Sequence, residues 1–247
     1  MDYKDYKLQK ESDNLYWWFC AKNNLIKNLL QSNFPKRAGE NKILNIGCGT
    51  GSDLKILKKF GEITALDFNE VALNQITEEG IKKIRADVEE SELEKNYYDA
   101  ICCFDVLEHL KNDQKAIKKI YHALKNDGIL LFTVPAFQFL FSPHDIAMEH
   151  YRRYNKNELR QKINFAGFKE NKLYYWNSIL FPAIVLFRLT KKIIFKLFKI
   201  KENCPETKLL GGFTNKLLYL ILNIENKKYF PRRIVPFGLT IYGIAKK

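Results

Sequence analysis

Three glycines, Gly47, Gly49 and Gly51, stand at alternate positions directly after a short apolar run. Glycine has no Cβ and adopts positive φ freely, so a turn built from glycines lets a ligand approach the backbone closely. A helical pattern begins at Asp53, and the first turn of a helix presents free N–H groups to an anionic group. The spacing therefore predicts a ligand-binding turn. Its third glycine comes one residue too early for the G-x-G-x-x-G turn of dinucleotide-binding proteins.

Two aspartates stand at the ends of later apolar runs. Asp67 ends the run 62–67, twenty residues after Gly47, and Asp87 follows the run 81–86. In an α/β nucleotide-binding fold, a carboxylate at the first of these places accepts hydrogen bonds from ribose hydroxyls. Taken singly, either aspartate is more typical of a turn or a helix cap. The order and spacing of these residues together favour a nucleoside site.

Apolar runs alternate with helical patterns through most of the chain. This order predicts an α/β fold in which a mostly parallel sheet is covered by helices on both faces. Right-handed crossovers would then place a ligand at the carboxyl ends of the strands. We predict strands at 42–46, 62–67, 81–86, 98–103, 128–134, 168–175 and 239–245, and helices at 15–30, 52–60, 70–78, 112–125 and 156–166.

Five segments jointly resemble the class I S-adenosylmethionine-dependent methyltransferases, and in particular their type-11 group. Each of them falls at the end of a predicted strand or turn, in the order that the family has. They are the glycine turn (motif I), Asp67-Phe68 (motif II), Asp87-Val88 (motif III), the run 98–110 (the signature D-x-x-x-x-x-x-V-L-E-H-L after strand 4) and the run 128–135 (strand 5).

The resemblance implies a doubly wound, Rossmann-like methyltransferase sheet with an antiparallel last strand, and S-adenosylmethionine as the cofactor. It implies that Asp67 accepts both ribose hydroxyls, that Phe68 covers one face of the adenine and that Asp87 accepts from the adenine amino group. The predicted cofactor-binding residues are Gly47, Cys48, Gly49, Gly51, Asp67, Phe68, Asp87, Val88 and Phe104.

Residues after strand 5 are the candidates for the acceptor site. The segment from His150 to Tyr154 resembles an H-x-R-R-Y segment that follows strand 5 in many type-11 sequences. Because an imidazole titrates near neutrality, we predict His150 as the base towards an accepting hydroxyl, with His144 as the alternative. We predict that Arg152, Arg153 and Tyr154 bind the acceptor, the arginines by clamping a phosphate or carboxylate. Alternatively, Arg153 and Tyr154 only fasten this loop to the sheet.

Three aromatic residues, Trp17, Trp18 and Phe19, open the first predicted helix. Bulky aromatic residues in a row are typical of a packing plug. In the family that the chain resembles, however, the helix before motif I often lies over the cofactor pocket. We therefore predict a lid, in which Trp17 and Trp18 contact the acceptor.

The run from Asp105 to His109, which includes Glu108, is similar to the E-x-x-E-H run of ubiquinone-pathway O-methyltransferases. Those enzymes can hold a divalent cation there to orient a catechol. Here the first acid is aspartate, one carbon shorter, and the same V-L-E-H-L run is widespread in methyltransferases that need no metal. We predict no metal site.

Positive charge is concentrated in the C-terminal part of the chain. Residues 1–150 carry 20 Lys+Arg and 23 Asp+Glu, a net charge of −3, whereas residues 151–247 carry 21 and 5, a net charge of +16. This asymmetry favours an anionic partner. We predict a basic amphipathic helical insertion at 176–237, which divides the methyltransferase domain into 1–175 and 238–247.

One helical pattern of this insertion mixes abundant Phe, Leu and Ile with charges that are all basic. On a helix these charges fall within an arc of roughly 140°. The longest uncharged run that reaches into the insertion, 173–187, has 15 residues, fewer than the roughly 20 of a bilayer span. The pattern predicts peripheral contact with an anionic membrane surface; packing on the domain or in a homodimer is the alternative. Nucleic acid is disfavoured as the partner, because Leu and Ile dominate where a nucleic-acid-binding surface would have stacking side chains and exposed basic loops. The basic residues are Arg188, Lys191, Lys192, Lys196 and Lys199.

The five cysteines have neither C-x-x-C nor metal-ligand spacing, and the N-terminus has no apolar signal segment. These features predict a reduced, cytoplasmic protein, peripheral at the inner face of the plasma membrane. The predicted function is methylation, on oxygen, of a lipid-linked or glycan-type small molecule at the membrane surface. The alternatives are a methyltransferase for a soluble metabolite whose insertion serves dimerisation, and a catalytically silent binding module.

Overall fold

A seven-stranded sheet in the order β3-β2-β1-β4-β5-β7-β6 organises the molecule. The computed structural model describes residues 16–34, 39–198, 211–228 and 235–247. Strands β1 to β5 are parallel, and β7 lies antiparallel between β5 and β6. The strands are β1 (Asn41–Ile46), β2 (Gly61–Asp67), β3 (Lys82–Arg85), β4 (Tyr98–Phe104), β5 (Leu124–Pro135), β6 (Glu170–Trp176) and β7 (Thr240–Lys246).

Helices pack on both faces of this sheet, because its central strands are apolar on both sides. Successive side chains of a strand point to opposite faces, and in β4 Ile101 and Cys103 join one core cluster while Ala100 and Cys102 join another. The helices are α1 (Trp17–Asn33), α2 (Leu54–Leu57), α3 (Glu70–Asn74), α4 (Asp113–Ala123), α5 (Pro143–Ala147), α6 (Lys156–Ala166), α7 (Phe181–Phe198) and α8 (Gly212–Lys228).

The predicted fold class is confirmed: the sheet is mostly parallel, its last strand is antiparallel, and helices precede that strand. β1 pairs with β2 on one side and with β4 on the other. The chain therefore winds away in opposite directions from β1. Such a switch point opens a crevice at the carboxyl ends of β1 and β4, where α/β proteins bind ligands.

Two predicted helices are shorter in the structure than their sequence patterns. The helix predicted at 52–60 is reduced to α2, and the next strand begins at Gly61, where a Cβ would collide with the backbone of Asn41. The helix predicted at 70–78 ends at Asn74. Lysine side chains hold carbonyl groups in the segment that follows it, with Lys83 Nζ 2.8 Å from the oxygen of Ile76.

The end of the insertion packs on the first helix. Asn226 of α8 is buried, accepts a hydrogen bond from Trp176 Nε1 at 2.8 Å and donates one to the oxygen of Ala21 in α1 at 2.8 Å. The side chains of 191–198 and residues 199–210 lie outside the described part, so the predicted basic face of α7 is not described beyond Arg188. Among the described helices, none combines the length and the apolar character that crossing a bilayer requires.

Candidate active site

The glycine turn joins three strand ends at the crevice. Gly47, Gly49 and Gly51 have φ values of 65°, 51° and 86°, a region in which other residues are strained. A Cβ on Gly47 would lie 2.5 Å from a side-chain carbon of Val106 after β4, so this glycine permits close packing. A Cβ on Gly49 would meet nothing within 4 Å. Gly49 therefore faces open space, as a ligand-binding turn requires.

Asp67 lies at the end of β2 directly beside this turn. Its Oδ2 accepts a hydrogen bond from the Gly49 N–H at 2.8 Å, and its Oδ1 accepts one from the Asn69 N–H at 2.9 Å. Burial raises the pKa of Asp67 above its ordinary value, against the effect of these N–H donors. The next side chain, Phe68, is 67% exposed. A buried acceptor beside an exposed ring matches what a ribose and an adenine need.

Four other predicted cofactor residues have side chains that are buried or engaged in their own turn. Asp87 is exposed, and its Oδ1 accepts from the Glu89 N–H at 2.8 Å, so it stabilises its own turn. Cys48 and Phe104 are buried in one core cluster, and burial raises the pKa of the Cys48 thiol. Because the side chains of Cys48 and Phe104 are buried, a ligand could contact mainly their backbone atoms. The same holds for Val88, which is also buried.

An ion pair connects α1 to the end of β4, which the sequence did not reveal. Lys22 Nζ contacts Asp105 Oδ2, and Thr133 Oγ1 donates to Asp105 Oδ1 at 2.9 Å. Lys22 Nζ also lies 5.0 Å from the ring centroid of Trp18. The sequence places Lys22 one helical turn after Trp18 in the predicted lid, but it does not identify Asp105 as the partner. This pair holds α1 over the carboxyl edge of β4.

A second buried acid, Asp53, follows the glycine turn and also lies outside the sequence prediction. Its Oδ1 accepts from Asn45 Nδ2 at 2.9 Å. Burial raises the pKa of Asp53 from 3.8 to about 6, although the positive charge of Lys22 opposes this. Between these two values the folded protein binds more protons than the unfolded chain, so stability falls as pH rises through this window.

We therefore expect Asp53→Asn to raise the free energy of unfolding at pH 7.5 by roughly 2 kcal/mol, because a neutral amide avoids burying a charge. At pH 4 the change should be small, because Asp53 is then protonated in the folded protein. Urea unfolding at both pH values measures the difference. An equal effect at pH 4 and pH 7.5 would contradict it.

The predicted base, His150, lies beside the V-L-E-H-L segment. Its Nδ1 is 3.1 Å from Asp145 Oδ1, and its ring centroid is 4.5 Å from that of His109 in a T-shaped contact. Burial, together with the nearby His150, lowers the pKa of His109 to about 4, so His109 is neutral at physiological pH. Glu108 is 1% exposed, and burial followed by the charge of Asp105 raises its pKa. The alternative base, His144, lies on α5 and is not a member of this cluster.

The arginines and the tyrosine after His150 bond within the protein. Arg153 is 6% exposed and donates through Nε to Asp145 Oδ1 at 2.8 Å. Tyr154 is fully buried, and its hydroxyl bonds to Asp113 Oδ2 at 2.7 Å. Arg152 pairs with Asp113 at 3.2 Å. For Arg153 and Tyr154 these contacts agree with the alternative that both residues only fasten this loop to the sheet. In this conformation they have little exposed surface with which to contact an acceptor.

The two lid tryptophans differ in their surroundings. Trp17 is 7% exposed and packs in a core cluster with Trp176 and Leu222, as a packing plug does. Trp18 is partly buried, with its ring centroid 6.1 Å from that of Trp176. Of the two, Trp18 has more surface with which to contact an acceptor, and that contact stays a prediction.

The chain is similar to known methyltransferases. Residues 44–132 match a type-11 family model described as a methyltransferase domain. An uncharacterised protein of Methanocaldococcus jannaschii is 30% identical over 187 residues, which are 74% of this chain and 77% of that protein. The malonyl-[acyl-carrier protein] O-methyltransferase of Priestia megaterium is 38% identical over 113 residues, 43% of this chain and 40% of that enzyme.

A solved structure has the same fold. The crystal structure of an S-adenosylmethionine-dependent methyltransferase from Archaeoglobus fulgidus aligns with a TM-score of 0.57 at 20% identity, covering 91% of this chain and 94% of that one. The glycine turn, Asp67 and the V-L-E-H-L segment all lie within the residues that match the family model. The chain belongs to the type-11 group of class I S-adenosylmethionine-dependent methyltransferases, and its cofactor is S-adenosylmethionine.

Proposed function

We propose that this methyltransferase transfers the methyl group to an oxygen of a lipid-linked or glycan-type small molecule at an anionic membrane surface. The observation that carries the proposal is a set of exposed apolar side chains on the two insertion helices. Between 41 and 82% of each is exposed. This apolar insertion surface consists of Leu186, Phe187 and Leu189 on α7 and Phe213, Leu217, Leu220 and Ile224 on α8.

The charge of the same part of the chain favours a membrane as the partner. Large exposed apolar patches mark sites of association, and residues 151–247 carry a net charge of +16. Apolar side chains beside excess Lys and Arg are the composition of helices that lie in an anionic bilayer interface. We place the protein at the inner face of the plasma membrane.

Stacked aromatic rings lead from α7 to the carboxyl edge of the sheet. Phe137, after β5, lies 5.2 Å from the ring of Tyr175 in a stacked contact and 5.5 Å from the ring of Phe181 at the start of α7. Phe181 in turn stacks on Phe237 at 5.1 Å. An apolar acceptor that enters along α7 would meet these rings before it reached the crevice.

The cofactor supplies an activated methyl group on a sulfonium sulfur. The protein must align the acceptor with that methyl group, exclude water and take up the hydroxyl proton. The pair Lys22–Asp105 holds α1 over the end of β4, and the cluster of His109 and His150 lies after the same strand. Oxygen as the accepting atom is favoured by the aligned relative, which is named as an O-methyltransferase.

Vesicle flotation tests the membrane proposal. We expect the protein to float with vesicles that contain anionic phospholipid and to bind neutral vesicles weakly. Phe213→Asp should lower binding at least tenfold, since burying a phenylalanine side chain contributes about 1.5–3 kcal/mol. Phe165→Asp is the matched control, because Phe165 is 80% exposed on α6 and Phe213 is 82% exposed.

Other outcomes would identify the alternatives. The first alternative predicts that the protein does not bind vesicles, that it elutes as a dimer, and that the Phe213→Asp variant elutes as a monomer. In that case the apolar insertion surface serves dimerisation, and the acceptor is a soluble metabolite. A protein that does not bind S-adenosylmethionine in calorimetry would be a silent module. Uptake of labelled methyl by a lipid extract, but not by the aqueous fraction of a lysate, is the result we expect for the acceptor.

A further inference from the structure

We propose that Glu108, His109 and His150 form a site for a divalent transition-metal ion, which binds the accepting oxygen. One potential ligand atom from each of the three side chains lies within 4.8 Å of the other two. Ligand atoms around a tetrahedral zinc ion are about 3.4 Å apart, given bonds of about 2.0–2.1 Å. Small side-chain movements would therefore close the site around an ion.

The carboxylate of Glu108 points to the same conclusion. Glu108 is 1% exposed, and its Oε2 has no hydrogen-bond partner among the described residues. Buried carboxylate oxygens are nearly always paired, because an unpaired one loses its hydration without replacement. A cation held between this oxygen and the two imidazoles supplies the missing partner.

Both imidazoles already have the outer contacts that metal-ligating histidines have. His150 Nδ1 contacts Asp145 Oδ1 at 3.1 Å, which leaves Nε2 for an ion. His109 bonds to the backbone of Glu149, which leaves its other ring nitrogen. A carboxylate or carbonyl behind the imidazole fixes its orientation and tautomer in most metal sites. Asp145 is itself held by Arg153 Nε at 2.8 Å.

Neighbouring charges are compatible with a cation. The two basic groups whose charges act on Glu108 each have an acidic partner: Lys22 contacts Asp105, and Arg153 contacts Asp145. Asp105 is thereby engaged by Lys22 and Thr133, and it is not a member of the cluster. The ligand set therefore takes its third residue from the loop after α5, and differs from the Asp105, Glu108 and His109 run considered in the sequence.

The donor atoms indicate the class of ion. Two imidazoles with one carboxylate suit Zn²⁺, Fe²⁺, Co²⁺ or Ni²⁺, whereas Mg²⁺ prefers oxygen ligands. Three protein ligands leave a coordination position open. An acceptor hydroxyl or carboxyl oxygen bound there would release its proton to bulk solvent more readily, because a bound divalent cation lowers the pKa of the oxygen that it coordinates. The deprotonated oxygen would then take the methyl group from the sulfonium sulfur, which leaves as a thioether. In this case His150 acts as a ligand, and solvent takes up the proton in place of an imidazole base.

Cobalt binding by the chain of 247 residues, without cofactor or acceptor, tests the site. We expect one Co²⁺ per chain, with a visible absorption band of nitrogen and oxygen ligands and displacement by Zn²⁺. His150→Ala should weaken binding at least a hundredfold, and the isosteric Glu108→Gln at least tenfold. Asp145→Asn, which changes a positioning residue, should weaken it tenfold to a hundredfold. His122→Ala, on α4 and outside the cluster, should leave binding unchanged. Asp105→Asn, which removes a nearby charge but no ligand, should retain saturable binding.

Three results would overturn the proposal: no saturable Co²⁺ binding, equal binding in Glu108→Gln and in the unmodified protein, or loss of binding in Asp105→Asn. Circular dichroism of each variant, and a rise in Tm when Zn²⁺ is added to the unmodified protein, separate loss of the site from loss of the fold. The role assigned to the ion rests on the proposed function. Metal binding and S-adenosylmethionine binding are measured separately, so either can fail alone.

Discussion

Asp67→Asn is expected to weaken S-adenosylmethionine binding roughly a hundredfold, measured as Kd by calorimetry. The ionised carboxylate can accept from both ribose hydroxyls, and a hydrogen bond to a charged acceptor contributes about 1.5–3 kcal/mol. The two oxygens already accept from the backbone N–H groups of Gly49 and Asn69. In Asp67→Asn, an NH₂ group replaces one of these oxygens. This NH₂ group is a donor, so it can accept neither from the backbone N–H group nor from the ribose hydroxyl that faces it.

Asp127→Asn is the matched control for this substitution. Asp127 lies at the surface with 82% of its side chain exposed and pairs with Lys246 at 3.0 Å. We expect its Kd for S-adenosylmethionine to equal that of the unmodified protein. If Asp67→Asn also bound with unchanged Kd, the carboxylate would have no part in holding the ribose.

Arg153→Met is expected to lower the free energy of unfolding by about 3–5 kcal/mol. The substitution leaves Asp145, which is fully buried, without its guanidinium partner. Urea unfolding measures the loss. Such a loss would establish that Arg153 fastens the loop.

Arg152→Met provides the comparison, because its side chain is 25% exposed and Asp113 keeps Lys162 at 2.7 Å. We expect it to cost less than about 1 kcal/mol. An Arg153→Met protein with unchanged stability and a raised KM for the acceptor would instead favour the predicted acceptor-binding role.

The parts of the fold that the sequence predicted are those with short-range signals. Strand and helix order follows from apolar runs and glycine turns. The predicted cofactor residues Gly47 and Gly49 directly follow β1, and Asp67 ends the neighbouring strand β2. The apolar pattern did not predict the early ends of α2 and α3, and the segments that follow these helices make tertiary contacts at Gly61 and Lys83.

Contacts between distant segments could not be predicted from spacing. Lys22 and Asp105 are 83 residues apart in the chain, and His109 contacts His150 through two loops that only the fold brings together. The charge of Arg153 suggested that it clamps an acceptor. In the structure its side chain is buried, and the sequence did not show this burial. An amphipathic helical pattern is also the same whether the helix lies on a membrane, on a second subunit or on its own domain. Asn226 of α8 illustrates the last case, because it donates a hydrogen bond to the oxygen of Ala21 in α1.

A crystal structure with S-adenosylhomocysteine would test the cofactor site most directly. We expect both ribose hydroxyls to contact the Asp67 carboxylate, the adenine to lie against Phe68, and the amino-acid part to lie along the turn from Gly47 to Gly51. An empty crevice at Gly49, with the ligand bound elsewhere or absent at saturating concentration, would contradict the assignment of this site.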